Sequence, residues 1–332
     1  MSFLYRNHLL LFNIPPPFIT MRYRLLLPLF GILLFAYILL NIDIGETGRI
    51  LSGANVLLVA LAALTALVSV AMKSLKWKMV IGLYDKDYSL ASAMKSWLMG
   101  FSLSMATPAR IGDLSRAYYL KARIGLGKGL VTVVVDRVVD MSVLFLLAIL
   151  GFLSLVSMLS QQQGLIIAVS VIFALFLAGV YLSTRKRLAT LLLRPFIRLV
   201  PARHRGEVSS TFHDFYTSLG HVRRRKATMG LAILLGMLAW LVTVLEYYFL
   251  ALSLDLGISY LLMLSIMPVV VLLDMLPVSF SGIGTRDAAL IFFFSFLSIG
   301  KEYAVSFSIL VFLFSYAFLG LIGAAFMLRE RL

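Results

Sequence analysis

The sequence predicts an all-α, polytopic membrane protein, with about seven spanning helices and two short re-entrant or broken helices. Three observations carry this. Hydrophobic residues make up 61% of the chain, and charged residues only 14%. Mean hydropathy is +0.99. Several uncharged runs reach the roughly 20 residues a bilayer crossing needs. A soluble domain is about half apolar and a quarter charged, so this composition cannot assemble a water-facing surface.

The elements follow in order. Residues 1–20 hold Pro15-Pro16-Pro17, which no helix continues through, and read as a loose extension before Met21. Residues 21–332 read as a single transmembrane domain. Leu25–Ile42 is the first span and Ile50–Met72 the second. Met141–Thr184 is uncharged and too long for one span. Gln161-Gln162-Gln163-Gly164 divides it into two, the first beginning near Val131. Ala227–Leu250, Ser259–Leu276 and Tyr303–Leu328 complete the set. Ser96–Ala109 and Ala288–Gly300 are apolar but below span length, which suits segments that dip in and return.

Charge sets the orientation. The net charge of +15 concentrates in a few stretches, including Lys73–Lys95 and Thr184–Lys226. Basic loops stay cytoplasmic, so both termini and these stretches are expected inside. The chain then belongs in a cell membrane, as the inner, cytoplasmic one. Arg110–Lys128 is basic too. It stays on the same side only if Ser96–Ala109 does not cross. Residues 184–226 mix arginine with leucine and phenylalanine and read as an amphipathic helix on the inner surface.

Composition also excludes chemistry. There is no cysteine, so disulfides, thiolate metal sites and cysteine nucleophiles are absent. The four histidines lie outside the spans, and no phosphate-loop motif occurs. No metal, cofactor or catalytic residue is expected. The basic residues are scattered among spans, which leaves no nucleic-acid-binding fold.

Ionisable residues at membrane depth are costly and point to function. Asp136, Arg137 and Asp140 fall within one turn of a span, with the two aspartates four apart on one face. An internal ion pair that fixes packing explains them equally well. Asp274 is expected near the inner end of its helix. Glu246 is expected near an outer end, apart from the rest.

Two motifs resemble each other. The first is Pro108-Ala109-Arg110-Ile111-Gly112-Asp113-Leu114-Ser115-Arg116, and the second runs from Pro277 through Gly282, Gly284, Arg286 and Asp287. Both combine proline, Ile-Gly, arginine and aspartate beside a short apolar run, as an internal pseudo-repeat would. Paired breaks of this kind mark substrate sites in transporters. Broken helices expose amides that favour anions, and arginine grips phosphate in a forked contact. The dull reading is two helix-breaking turns.

The runs PARIGDLSRAYYLK, DRVVD and PVSFSGIGTRDAAL resemble the lysylphosphatidylglycerol synthase transmembrane-region family. The likeness covers the chain from about residue 21. That family includes the flippase half of the multiple peptide resistance factor, and stand-alone bacterial and archaeal proteins. Its first motif reads Pro-x-x-x-Gly-Glu and its second ends Gly-x-Gly-x-x-Glu; Asp113 and Asp287 replace the two glutamates here. The resemblance implies movement of a phospholipid or lipid-linked headgroup between leaflets. The expected substrate contacts are Arg110, Gly112, Asp113, Arg116, Asp136, Arg137, Asp140, Asp274, Gly282, Gly284, Arg286 and Asp287. The chain ends at Leu332 straight after a span, so aminoacyl transfer is not expected.

Two further classes stay open. One is a membrane-embedded lipid-modifying transferase, for which Asp85-Lys86-Asp87 has a metal-binding spacing that a turn before Ser89 explains equally well. The other is an accessory subunit of a lipid-synthesis enzyme, or a homo-oligomer.

Overall fold

The computed structural model describes residues 21–154, 163–183, 202–275 and 278–331. Among them the secondary structure is entirely helical. The N-terminal extension, Gln161-Gln162, residues 184–201 and Pro277 lie outside the described residues.

Helix α1 (Met21–Leu40) meets α2 (Ile44–Ser52) at a 91° bend. The Asp43 carboxylate accepts the Glu46 amide and starts the new helix. Helix α3 spans Val56–Ile81, started by the Asn55 side chain, which accepts from the amides of Leu57 and Leu58. The second span thus begins later and ends later than the predicted Ile50–Met72. Its boundary moves because Lys73, Lys76 and Lys78 belong to the helix rather than to a loop.

Helix α4 (Leu90–Met105) is followed by a 3-10 segment (Pro108–Ser115) and by α5 (Arg116–Tyr119) and α6 (Lys121–Ile124). The chain doubles back here. A Cβ on Gly112 would sit 2.4 Å from the Leu103 carbonyl oxygen, and one on Gly100 would sit 2.2 Å from Cγ of Arg116. Only glycine lets the returning strand of this hairpin lie so close.

Helix α7 (Leu126–Ser154) is followed by α8 (Gln163–Ser183) and α9 (Ala202–Arg224). One face of α9 packs inward. Its Phe215, Leu219 and Val222 join Val80, Val131 and Val135, and its Ser218 carbonyl accepts from the Tyr84 hydroxyl. Arg223, Arg224, Arg225 and Lys226 are exposed. Within the basic stretch 184–226, the described part thus has one packed and one exposed face.

Helices α10 (Lys226–Ser253), α11 (Tyr260–Asp274) and α12 (Thr285–Ser295) follow. The last rod is α13 (Lys301–Val311), a π-helical segment (Phe312–Phe318) and α14 (Leu319–Arg331).

Three described helical stretches are long and apolar enough to cross a membrane: Val56–Ile81, Lys226–Ser253 and Lys301–Glu330. The bent pair of α1 and α2 makes four if it is one span. That is fewer than the seven the sequence predicts. The count is of described residues, and it leaves out shorter apolar stretches such as Ser170–Leu182 of α8. Helix α11, at 15 residues, reaches only about 22 Å at 1.5 Å per residue.

The long helices are sorted by side-chain size. Helix α3 points Leu57, Leu61, Leu64 and Leu67 outward, and buries Ala62, Ala66, Ser69 and Val70. Helix α10 exposes Leu231, Leu234 and Leu238, and buries Ala232, Gly236 and Ala239. Lipid is as apolar as leucine, so association relies on close backbones and hydrogen bonds between small residues. The two run antiparallel: Ser69 Oγ meets Thr243 Oγ1 at 2.7 Å, and Lys73 lies over Trp240.

Candidate functional site

Two groups of charges occupy the interior, and they are built differently. The first joins α3, α7 and the returning hairpin. Arg116 Nη1 donates to Asp136 Oδ2 at 3.0 Å and Nη2 to Asp113 Oδ2 at 2.7 Å. Arg137 Nε also donates to Asp113. Lys76 Nζ pairs with Asp136 Oδ1 at 3.0 Å and with Asp140. Three cations thus face three carboxylates. Lys76 and Arg116 have no exposed surface, and the side chain of Arg137 is a quarter exposed. The Arg116 guanidinium stacks 4.7 Å above the Trp77 ring, whose Nε1 donates to Thr132.

The second group joins the two helix breaks. Each break has a non-glycine residue in the left-handed region, Arg110 at φ 54° and Ser281 at φ 48°. Ser281 Oγ donates to the Met105 carbonyl at 3.1 Å, so the second break rests on the first. Tyr316, from the π-helical segment, ties them further. Its hydroxyl accepts from Arg110 Nη2 at 2.9 Å and donates to Asp274 Oδ2 at 2.8 Å. Arg286 stands 3.7 Å from the same Asp274 oxygen, and donates to Ser308 Oγ and the Ser281 carbonyl.

The glycines of the second break serve close approach. Gly282 and Gly284 have φ of 78° and 85°. A Cβ on Gly282 would strike Asp274 Oδ1 at 2.3 Å, and one on Gly284 would strike the Gly31 carbonyl of α1 at 2.1 Å. Asp287 Oδ2 accepts the Gly284 amide at 2.8 Å and caps α12.

A cavity of about 50 Å³ opens between α3, α4, α10 and the last rod. Lys73, Arg110, Glu246 and Tyr316 line it, together with Trp97 and Trp240. Glu246 is buried and accepts from Ser315 Oγ. Among the described residues, neither Lys73 nor Arg110 is ion-paired. The Lys73 ammonium lies 4.3 Å over Trp240, and Arg110 lies 5.1 Å over Tyr316. The Nε1 atoms of Trp97 and Trp240 are buried without a hydrogen-bond partner. Ser69 and Thr243, near the middles of their helices, also line the cavity.

The expected site residues therefore divide. Arg110 lines the cavity. Asp274 and Arg286 stand one layer behind Tyr316. Gly112, Gly282, Gly284 and Asp287 shape the breaks. Asp113, Arg116, Asp136, Arg137 and Asp140 form the balanced cluster. Sequence reasoning missed Lys73 and Lys76, which look like the start of a basic loop. It also set Glu246 apart, although Glu246 shares the cavity with Arg110. The available signal was helical spacing: Ser69, Lys73 and Lys76 fall on one face of α3, as Thr243 and Glu246 do on α10. Asp85 is engaged elsewhere, with one oxygen on Arg123 at 3.0 Å and the other on the Asp87 amide.

Leucine outside, small residues at the helix contacts and ionisable groups paired within define an integral membrane protein of helical type. The sequence profile of the lysylphosphatidylglycerol synthase TM region matches residues 24–323, and the chain belongs to that family. Among relatives, a UPF0104 membrane protein of Methanothermobacter thermautotrophicus is 23% identical over 310 residues, covering 89% of this chain and 92% of that one. One from Methanocaldococcus jannaschii is 27% identical over 312 residues, covering 90% and 91%. A second from the same organism is 30% identical over 241 residues, covering 69% and 94%.

Proposed function

We propose that the protein is a lipid translocase that takes an anionic headgroup, of a phospholipid or lipid-linked substrate, from the inner leaflet into the cavity between α3, α4 and α10. The observation that carries this reading is that two cations without an ion pair among the described residues, Lys73 and Arg110, share the wall of a cavity with a single carboxylate, Glu246. A buried cation without a carboxylate is costly unless a ligand supplies the anion. Membership of the lysylphosphatidylglycerol synthase TM region family supports a lipid-related role.

In this reading the paired breaks are the moving parts. Arg110 is attached to one break, and Arg286 and Asp274 flank the other. Tyr316 links both, so a change at the headgroup is felt at the two hairpins. Arg137, the exposed edge of the balanced cluster, faces the route of entry. Asp136, Asp140, Arg116 and Asp113 hold that route in shape. The protein sits in the cell membrane with both termini cytoplasmic, and the α4 hairpin is re-entrant. Helices α7, α8 and α11 complete about seven spans.

Reconstitution tests this. Vesicles containing the protein and fluorescently labelled phosphatidylglycerol are exposed to an impermeant reductant. Bleaching beyond the roughly half of the label in the outer leaflet reports translocation. The wild type is expected to exceed protein-free vesicles, and Arg110→Gln is expected to fall about tenfold, one lost charged hydrogen bond being worth roughly 1.5–3 kcal/mol. Bleaching equal to empty vesicles, or full activity in Arg110→Gln, refutes the reading.

A further inference from the structure

We infer that the cavity selects a lipid carrying a single negative charge, a phosphodiester, and that Glu246 sets this limit. The inference rests on the cavity being the headgroup site of the proposed translocase.

The cavity wall carries two cations, Lys73 and Arg110, against one carboxylate, Glu246, a net excess of one positive charge when all three are ionised. The neighbouring Asp274 and Arg286 pair with each other behind Tyr316 and leave that balance unchanged. A ligand with one negative charge brings the cavity to neutrality. A phosphomonoester, whose second ionisation lies near pH 6, adds an uncompensated charge at a site already holding a buried carboxylate. In a poorly solvated interior, such a charge is expensive.

The hydrogen-bonding inventory agrees. Trp97 and Trp240 are 4% and 6% exposed, and their indole N–H groups have no partner within the protein. Buried donors are normally satisfied. Indole is a donor only. Lys73 and Arg110 add charged donors on the same wall. Glu246 cannot donate when ionised, and already accepts from Ser315.

The remaining lining favours a lipid over a soluble phosphodiester. Ala66, Val70, Phe101, Val271 and Leu319 make up the apolar part of the wall, beside Tyr247 and Ser315. The cavity also lies at the level of Ser69 and Thr243, deep among helices whose outer faces are leucine.

Binding is measured apart from transport, so that the two readings fail separately. Purified protein in detergent is titrated with four probes, with quenching of tryptophan fluorescence as the readout. These are dioctanoyl phosphatidylglycerol, dioctanoyl phosphatidic acid, uncharged dioctanoylglycerol, and deacylated glycerophosphoglycerol. Phosphatidylglycerol is expected to bind about tenfold more tightly than each of the others, the order expected for one misplaced charge in a partly screened site. Glu246→Gln removes the limiting carboxylate and is expected to shift the preference about tenfold toward phosphatidic acid. Lys73→Gln should erase the difference between phosphatidylglycerol and dioctanoylglycerol. Three results overturn the inference: wild type that binds phosphatidic acid as tightly as phosphatidylglycerol, soluble headgroup that binds as tightly as the lipid, or folded Glu246→Gln with an unchanged ratio. If Glu246→Gln does not fold, the wild-type ordering and Lys73→Gln decide. Selective binding without bleaching in vesicles would leave the inference standing and remove the translocase reading.

Discussion

The balanced cluster and the cavity lie side by side on α3, separated by one turn, and treat charge in opposite ways. Lys76 is fully buried and bridges Asp136 and Asp140. Lys73, three residues earlier, has an aromatic ring beneath it and forms no ion pair among the described residues. The cluster spends each charge on another charge of the protein, which suits a brace. The cavity keeps two cations in reserve, which suits a binding site. In the proposed function, pairing separates the bracing charges from the binding ones.

The sharpest way to break that contrast is to unbalance the brace. Asp136→Asn strips the carboxylate shared by Lys76 and Arg116. Breaking a buried pair from one side costs roughly 3–5 kcal/mol. Thermal unfolding in detergent should show a large loss of stability, or no folded protein; a near-normal melting temperature would deny the brace. The hairpin that presents Arg116 comes next. Gly112→Ala forces a Cβ to 2.4 Å from the Leu103 carbonyl, and overpacking of this kind costs about 1–3 kcal/mol. Protease protection of the 108–125 stretch should fall in parallel.

Changes on the cavity side should behave differently. Tyr316→Phe removes the hydroxyl between Arg110 and Asp274, a loss of about 0.5–1.5 kcal/mol per hydrogen bond. Translocation in the vesicle assay should drop while the protein stays folded. Lys73→Gln should leave stability within about 1 kcal/mol, because no ion pair is broken, yet lower transport of anionic lipid about tenfold. A stability loss as large as that of Asp136→Asn would erase the distinction between the regions. The smallest effect is expected from Thr243→Val, which removes the contact with Ser69. Interhelical hydrogen bonds in membranes average about 0.6 kcal/mol, a shift visible in unfolding but not in transport.

Much of the architecture was legible from the sequence. Ala227–Leu250 and Tyr303–Leu328 differ from the observed helices by a few residues, because uncharged runs leave little freedom in lipid. The two breaks were legible because proline and paired glycine punctuate otherwise apolar runs. The lysines of α3 were misread for a physical reason. Hydropathy treats each residue as if it faced solvent or lipid alone, so Lys73 and Lys76 look like the end of a span. Burial against Asp136, Asp140 and Trp240 removes that penalty. Among the described residues α11 stops at its break, which shortens the span expected over Ser259–Leu276.

Composition and pattern alone determined the membrane class, the helical architecture, the family and the two broken segments, since each depends on local sequence and on transfer from water to lipid. Which charges cancel was decided only by the tertiary structure. Asp113 and Arg137 are 24 residues apart in sequence, and Tyr316 reaches Arg110 across 206. Coulomb energy and hydrogen bonding act over a few ångströms, so the partition into a paired cluster and the cavity cations exists only once the helices have packed.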